Sequence, residues 1–174
     1  MRPAKHLSVY QRNPNRMKIL AIDPGTERSA LLIYDSINKS VSEHGIRGNE
    51  TTLELIIGGT LPQPFVCAIE MIASYGMPVG KSVFETCVWI GRFIQAVDNK
   101  YLIGTELIYR RDVKMHLCGS TRAKDSNVRQ AIMDKYGSTR QEAIGTKKAQ
   151  GPLYGISKDM WAALGVAITY AEAK

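Results

Sequence analysis

Three acidic residues stand where apolar segments of the chain begin or end. Asp23 closes the run MKILAID, Glu70 closes the run FVCAIE, and Asp159 precedes the run MWAALGVAIT. Carboxylates on rigid elements are the ligands that Mg²⁺ and Mn²⁺ prefer, and two such ions about 3.5–4 Å apart can promote phosphodiester cleavage. The three acids therefore indicate a metal-dependent phosphodiesterase site.

Each of these acids also has an ordinary structural explanation. Asp23 opens an Asp-Pro-Gly sequence, which is a common turn because Asp can bond its own backbone. Glu70 is compatible with a simple strand end, and Asp159 with the attraction between an acid and a helix dipole. Only the coincidence of all three at the borders of apolar segments favours a shared chemical role.

The elements that must position these acids follow from the apolar pattern. It predicts strands over 17–23, 29–35, 39–45, 65–70 and 105–110, and helices over 51–57, 81–97, 111–117, from about 125 to 136, and from near 157 to the C-terminus. Hairpin strands come first and alternating elements later, which is typical of an α/β fold with a mixed central sheet flanked by helices. Ligands of such sheets collect at strand ends, where the acids lie.

Helix 81–97 carries the clearest helical periodicity. The spacing predicts an inner face, with Trp89 and Phe93 to its side and Trp89 as the best candidate for a contact with a second copy. The predicted inner residues are Val83, Phe84, Cys87, Val88, Ile90, Ile94 and Val97. By contrast, residues 138–156 contain three glycines and a proline and are expected to form a mobile basic loop.

Composition bounds the class of protein. The chain has 174 residues, 44% hydrophobic and 22% charged, which suits one compact, soluble domain. No apolar run approaches the roughly 18 residues of a membrane helix, and no secretory signal is visible. Three distant cysteines without a CxxC pair argue against a zinc site or a disulfide framework, so a cytoplasmic location is expected.

The basic charge is concentrated in two parts of the chain. Residues 1–16 carry four basic and no acidic side chains and are predicted to form a disordered arm, so that Met17 is an alternative natural start. Residues 107–151 carry ten basic and four acidic side chains. A local basic excess suits a surface that binds a phosphate backbone, although a solvated basic face has the same composition.

Four motifs occur in the order found in one nuclease family. MKILAIDPGT, FVCAIEMI, YRRDVKMHLCGSTRAKDSNVRQAI and DMWAALGVAIT together resemble segments of the RuvC family of Holliday-junction resolvases, from Met17 to about Tyr170. The resemblance implies an RNase H-like fold, here one domain over 17–174. It also implies a homodimer that cleaves branched DNA with two Mg²⁺ or Mn²⁺ ions, in a bacterial cell or a phage-infected host.

Site residues follow from the resemblance by position. Asp23, Glu70 and Asp159 would bind the metal ions, and Lys114 and Lys124 would neutralise charge at the scissile phosphate. A wider set of residues would contact DNA: Arg110, Arg111, Lys114, Arg122, Lys124, Arg129, Lys147, Lys148 and Tyr75.

Two positions depart from the family pattern. The last helix of the family carries a second acid or histidine three residues after the first, and here that position is Ala162. Three carboxylates could suffice, another ligand could substitute, or the chain could be inactive, whether naturally or by an engineered Asp→Ala change. The family also places an aromatic wedge shortly after the strand-end Glu, whereas Tyr75 lies further along and is better suited to packing or to anchoring its loop.

Three functions therefore remain open at this point. The leading hypothesis is an endonuclease for Holliday junctions or other branched DNA. The second is a non-catalytic protein that binds branched DNA, which the alanine at position 162 favours. The third is a related nuclease that acts on RNA, because a fold alone does not determine a substrate. An ATPase is more remote, since the chain contains no P-loop sequence.

Overall fold

Five strands form one mixed sheet in the computed structural model, which describes residues 18–173. The strands are β1 (Lys18–Asp23), β2 (Arg28–Asp35), β3 (Ser40–Gly48), β4 (Val66–Met71) and β5 (Thr105–Tyr109). The helices are α1 (Asn49–Gly58), α2 (Lys81–Tyr101), α3 (Arg110–Cys118), α4 (Asp125–Asp134), α5 (Arg140–Ala143) and α6 (Met160–Glu172). The α/β class and the mixed sheet are confirmed. The arm predicted for residues 1–16 lies outside the described residues.

The strand order is β3-β2-β1-β4-β5. β1 pairs antiparallel with β2 and parallel with β4, which itself pairs parallel with β5. Alternate side chains of β1 enter two different cores. Ile19 and Ala21 pack with α3, α4 and α6, whereas Leu20 and Ile22 pack with α1 and α2. Because helices cover both faces of the sheet, the central strands read as continuous apolar runs.

The register of β1 and β4 brings the first two acids to the same edge. Ile22 pairs with Ile69, so the next residue of each strand, Asp23 and Glu70, lies at the carboxyl end of the sheet. α6 packs across β1, β2 and β4. Its N-terminal end carries Asp159 as the N-cap residue.

The face of helix α2 that packs against the core differs from the one that the spacing of its apolar residues predicted. Phe93 is fully buried, whereas Phe84 and Val88 are 61% and 63% exposed. The buried stripe includes Thr86, whose hydroxyl donates to the carbonyl of Ser82 at 2.9 Å and so needs no other partner. The predicted inner face was therefore wrong in part, because a polar residue satisfied within its own helix can occupy a core position. The predicted dimer contact stays a prediction, and the apolar surface on this helix is that of Phe84 and Val88.

The segment 138–156 is better ordered than its glycines suggested. It contains helix α5, where the Thr139 hydroxyl accepts from the backbone N–H of Glu142 and the Glu142 carboxylate accepts from the N–H of Thr139. Ala143 and Leu153 are fully buried anchors. The loop prediction was thus wrong over 140–143, where Thr-x-x-Glu is a capping box.

The last helix begins later than predicted. Lys158 has a left-handed backbone with φ of 48°, so the helix starts at Met160 rather than near Ser157. Asp159 consequently precedes the first turn instead of lying within it. No helix between residues 18 and 173 has the length and apolar character needed to cross a bilayer.

Candidate active site

The predicted acids lie in one electrostatic neighbourhood at the carboxyl edge of the sheet. Burial, together with the charges of Glu70 and Asp159, raises the pKa of Asp23 to about 8. Burial also raises the pKa of Glu70, whose side chain is only 12% exposed. Asp23 thus interacts with residues 47 and 136 positions further along the sequence, because β1, β4 and the start of α6 meet here.

Arg110 connects this acidic group to a further acid. One guanidinium nitrogen donates to the Glu70 carboxylate at 3.3 Å and another donates to the Asp125 carboxylate at 2.7 Å. The Lys114 ammonium lies 3.7 Å from the same Asp125 oxygen. Arg110 and Lys114, predicted from sequence as contacts to DNA, therefore also neutralise carboxylates of the site.

Asp125 is the site residue that the sequence analysis missed. The sequence predicted only that a helix begins near position 125, whereas the structure makes Asp125 the first residue of that helix and a fourth acid that raises the pKa of both Asp23 and Glu70. The hydrogen bond from Arg110 lowers the pKa of Asp125 itself. The available signal was its place directly after Lys124, within a segment already assigned to phosphate contacts.

The donor chemistry of the site fits a hard divalent cation. All the candidate ligands are carboxylates, they repel one another, and the guanidinium of Arg110 already lies among them. No three potential ligands within residues 18–173 are close enough to form a closed metal cage. Mg²⁺ is commonly held by one or two carboxylates and keeps several waters, so a pair of carboxylates would be enough to bind it. Asp23 and Glu70 are the two buried enough to serve as that pair.

The other predicted contacts are spread around this edge. Lys124 caps α4 and is exposed, as are Arg122, Lys147 and Lys148. Tyr75 is 55% exposed in the loop after β4, and the guanidinium of Arg111 lies 5.7 Å from its ring centroid. The structure therefore does not bury Tyr75 as an anchor. Arg129 belongs to a separate groove described below.

Ala162 lies on the first turn of α6, three residues after Asp159, and remains partly exposed. Positions three apart share one face of a helix. A longer acidic side chain at this position would therefore extend from the same side of α6 as Asp159. Alanine itself cannot bind a metal ion, but its partly exposed position leaves room for a longer side chain.

The raised pKa of Asp23 predicts that the effect of Asp23→Asn on the free energy of unfolding depends on pH. Between pH about 4 and about 8, folded Asp23 holds a proton that the unfolded chain releases, so the free energy of unfolding falls as pH rises. The amide carries no charge at either pH. Without divalent metal, we expect the substitution to raise the free energy of unfolding by roughly 1–3 kcal/mol at pH 8.5 and by almost nothing at pH 4.5. The gain at pH 8.5 is smaller than the full change in pKa implies, because Asp23 is partly exposed and water screens its charge.

Thermal unfolding followed by circular dichroism at the two pH values measures this difference. Asp98→Asn, on the exposed side of α2, is the matched control and should behave as the unaltered chain at both pH values. Added Mn²⁺ should stabilise the unaltered chain at pH 8.5 more than it stabilises Asp23→Asn. Equal gains at pH 4.5 and 8.5 would contradict the electrostatic account.

Comparison with known proteins identifies the fold. No protein-family model matches the sequence, and no curated protein matches it either. The similar solved structures include RuvC of Thermus thermophilus (TM-score 0.61, 16% identity) and the same organism's RuvC in complex with Holliday junction substrate (TM-score 0.62, 15% identity). Each alignment covers 89% of this chain and 93% of the other. At this identity the likeness concerns the fold, and it confirms the predicted RNase H-like architecture.

Proposed function

We propose that this chain is a metal-dependent endonuclease that cleaves Holliday junctions or other branched DNA. The observation that carries the proposal is the pairing of Asp23 and Glu70 at one sheet edge, with Asp159 near enough for its charge to act on Asp23; burial and repulsion raise the pKa of Asp23 to about 8. A group of carboxylates kept together at this electrostatic cost is expected where a cation is needed for function. The similar RuvC structure in complex with a junction supports the choice of branched DNA.

Asp23 and Glu70 would hold the metal, with Asp159 completing the ligand set from α6. When bound, Mg²⁺ or Mn²⁺ would supply Lewis acidity toward the phosphoryl oxygens and a water nucleophile. Arg110 has a separate role, because its charge lowers the pKa of Glu70 against the larger opposing effect of burial. The same ion pair holds the Glu70 side chain at the strand end.

Lys114 and Lys124 would face the scissile phosphate. Lys114 lies on α3 with a side chain 22% exposed, so its charge is only partly screened by water. Lys124 is exposed at the start of α4. A fixed cation beside the phosphate favours the additional negative charge of the transition state. Lys114 should therefore affect cleavage more than it affects DNA binding.

A cleavage assay on matched substrates tests the proposal. A labelled four-way junction, a linear duplex of the same sequence and an RNA of matched shape are incubated with Mg²⁺ and with Mn²⁺. We expect metal-dependent cleavage of the junction, and little of the linear duplex. Binding without cleavage under every condition would favour a non-catalytic DNA-binding protein. Faster cleavage of the RNA would favour a ribonuclease, and a chain that neither binds nor cuts any substrate would overturn both DNA functions.

A further inference from the structure

A groove beside the carboxylates is formed by α4, the start of α5 and the start of α6. Its volume is about 530 Å³, and Asp125 of the acidic group forms part of its wall. The polar and aromatic side chains that line it are mainly Arg129, Arg140, Lys158 and Trp161. Lys158 directly precedes Asp159, so the groove opens next to the candidate metal ligands.

The cations of the groove are left without acidic partners. Arg129, Arg140 and Lys158 form no salt bridge with any residue between 18 and 173, whereas Asp125 is already neutralised by Arg110 and Lys114. Three unpaired positive charges around one cavity repel each other unless an anion lies between them. The charge pattern thus points to a negatively charged ligand.

Buried hydrogen-bond donors in the groove indicate the same kind of ligand. Trp161 is only 7% exposed, yet its indole Nε1 finds no acceptor in the described part of the chain. The Arg129 guanidinium lies 4.9 Å from the centroid of that indole ring, and its buried Nε is likewise without an acceptor among residues 18–173. Indole and guanidinium N–H groups can only donate, so the missing partner must be an acceptor. Leaving such donors unsatisfied costs free energy.

We infer that this groove binds a backbone phosphate of the nucleic acid strand, one that flanks the phosphate at the carboxylates. This inference rests on the proposed function, because it states where the strand runs beyond the cleavage site. A phosphate matches this chemistry, since it is an anion that would neutralise the cations lining the groove and it carries several acceptor oxygens. The groove thereby continues the phosphate path from Lys114 and Lys124 toward α5.

Tryptophan fluorescence provides a readout at the groove itself. The chain contains two tryptophans, so in a Trp89→Phe background Trp161 is the only emitter. We expect junction DNA, added with EDTA to prevent cleavage, to change the Trp161 emission. Arg140→Gln with Lys158→Gln should lower junction affinity about tenfold and reduce the slope of log K against log salt by about one per cation removed. Lys100→Gln, on the opposite face of the sheet, is the matched control and should change neither.

Two further comparisons separate binding of a nucleic acid strand from binding of free phosphate, and the groove from the nuclease activity. Inorganic phosphate that alters the Trp161 emission at millimolar concentration, while DNA does not, would show a site for free phosphate and overturn the strand assignment. The groove would be overturned if the double variant had the same salt slope as Lys100→Gln and if junction DNA left the Trp161 emission unchanged in the Trp89→Phe chain, even if that chain still cuts junctions. If no metal supports cleavage but DNA changes the Trp161 emission and Arg140→Gln with Lys158→Gln abolishes that change, the groove is supported and the proposed nuclease activity is contradicted.

Discussion

Asp23→Asn should lower the rate of junction cleavage by a factor on the order of 10³ or more while leaving junction affinity within a few-fold of that of the unaltered chain. Asp23 is buried at the end of a central strand, and the amide has the same shape without the charge that attracts a divalent cation. Loss of an interaction needed only for the chemical step lowers the rate and spares binding. Single-turnover cleavage of a labelled four-way junction, with a separate binding titration in EDTA, measures both quantities.

Glu70→Gln should have a similar effect for the same reason, with one difference. Arg110 would lose its ion pair with position 70 and keep the one with Asp125. The substitution is therefore also expected to shift the Arg110 side chain. Asp98→Asn on α2 is the control for both variants, since it removes an acid far from the sheet edge. Cleavage by Asp23→Asn within tenfold of the unaltered rate would exclude Asp23 as a metal ligand.

Ala162→Asp should raise the rate of junction cleavage by roughly 10- to 100-fold, the range typical of gaining or losing one supporting group at a metal site. Position 162 is one helical turn from Asp159 and partly exposed, so the new carboxylate can reach the same edge without disrupting the core. Metal titrations of cleavage should shift to lower concentrations in parallel, because an added acidic ligand strengthens binding of the ion.

Ala162→Asn separates charge from size at this position. It has nearly the same volume as the aspartate but adds no charge, so it should stay close to the unaltered chain in both rate and metal requirement. If Ala162→Asp gives no gain, three carboxylates suffice and position 162 is dispensable. If only Ala162→Asp cuts the junction, the chain is a nuclease that has lost one ligand. In that case the effect of Asp23→Asn is measured in the Ala162→Asp background, where Asp23 is still expected to be required.

The local features of this protein could be predicted from its sequence because they depend on neighbours along the chain. Continuous apolar runs marked the buried strands β1, β2 and β4, and turn residues marked their ends. Hairpin strands followed by alternating elements predicted the mixed sheet, and the strand ends predicted the edge position of Asp23 and Glu70, whereas the strand order came from the structure. The motif order pointed to the RNase H-like fold that the comparison confirms.

The tertiary structure decided what depends on packing between distant segments. Whether Phe84 or Phe93 enters the core of α2 depends on which side of the helix meets the sheet, and the burial of an internally bonded Thr86 could not be read from apolar spacing. The bridge from Glu70 through Arg110 to Asp125 joins residues up to 55 positions apart. The indole N–H of Trp161 is buried without an acceptor among residues 18–173 where α4 and α6 meet around one groove. No local sequence pattern could have indicated this.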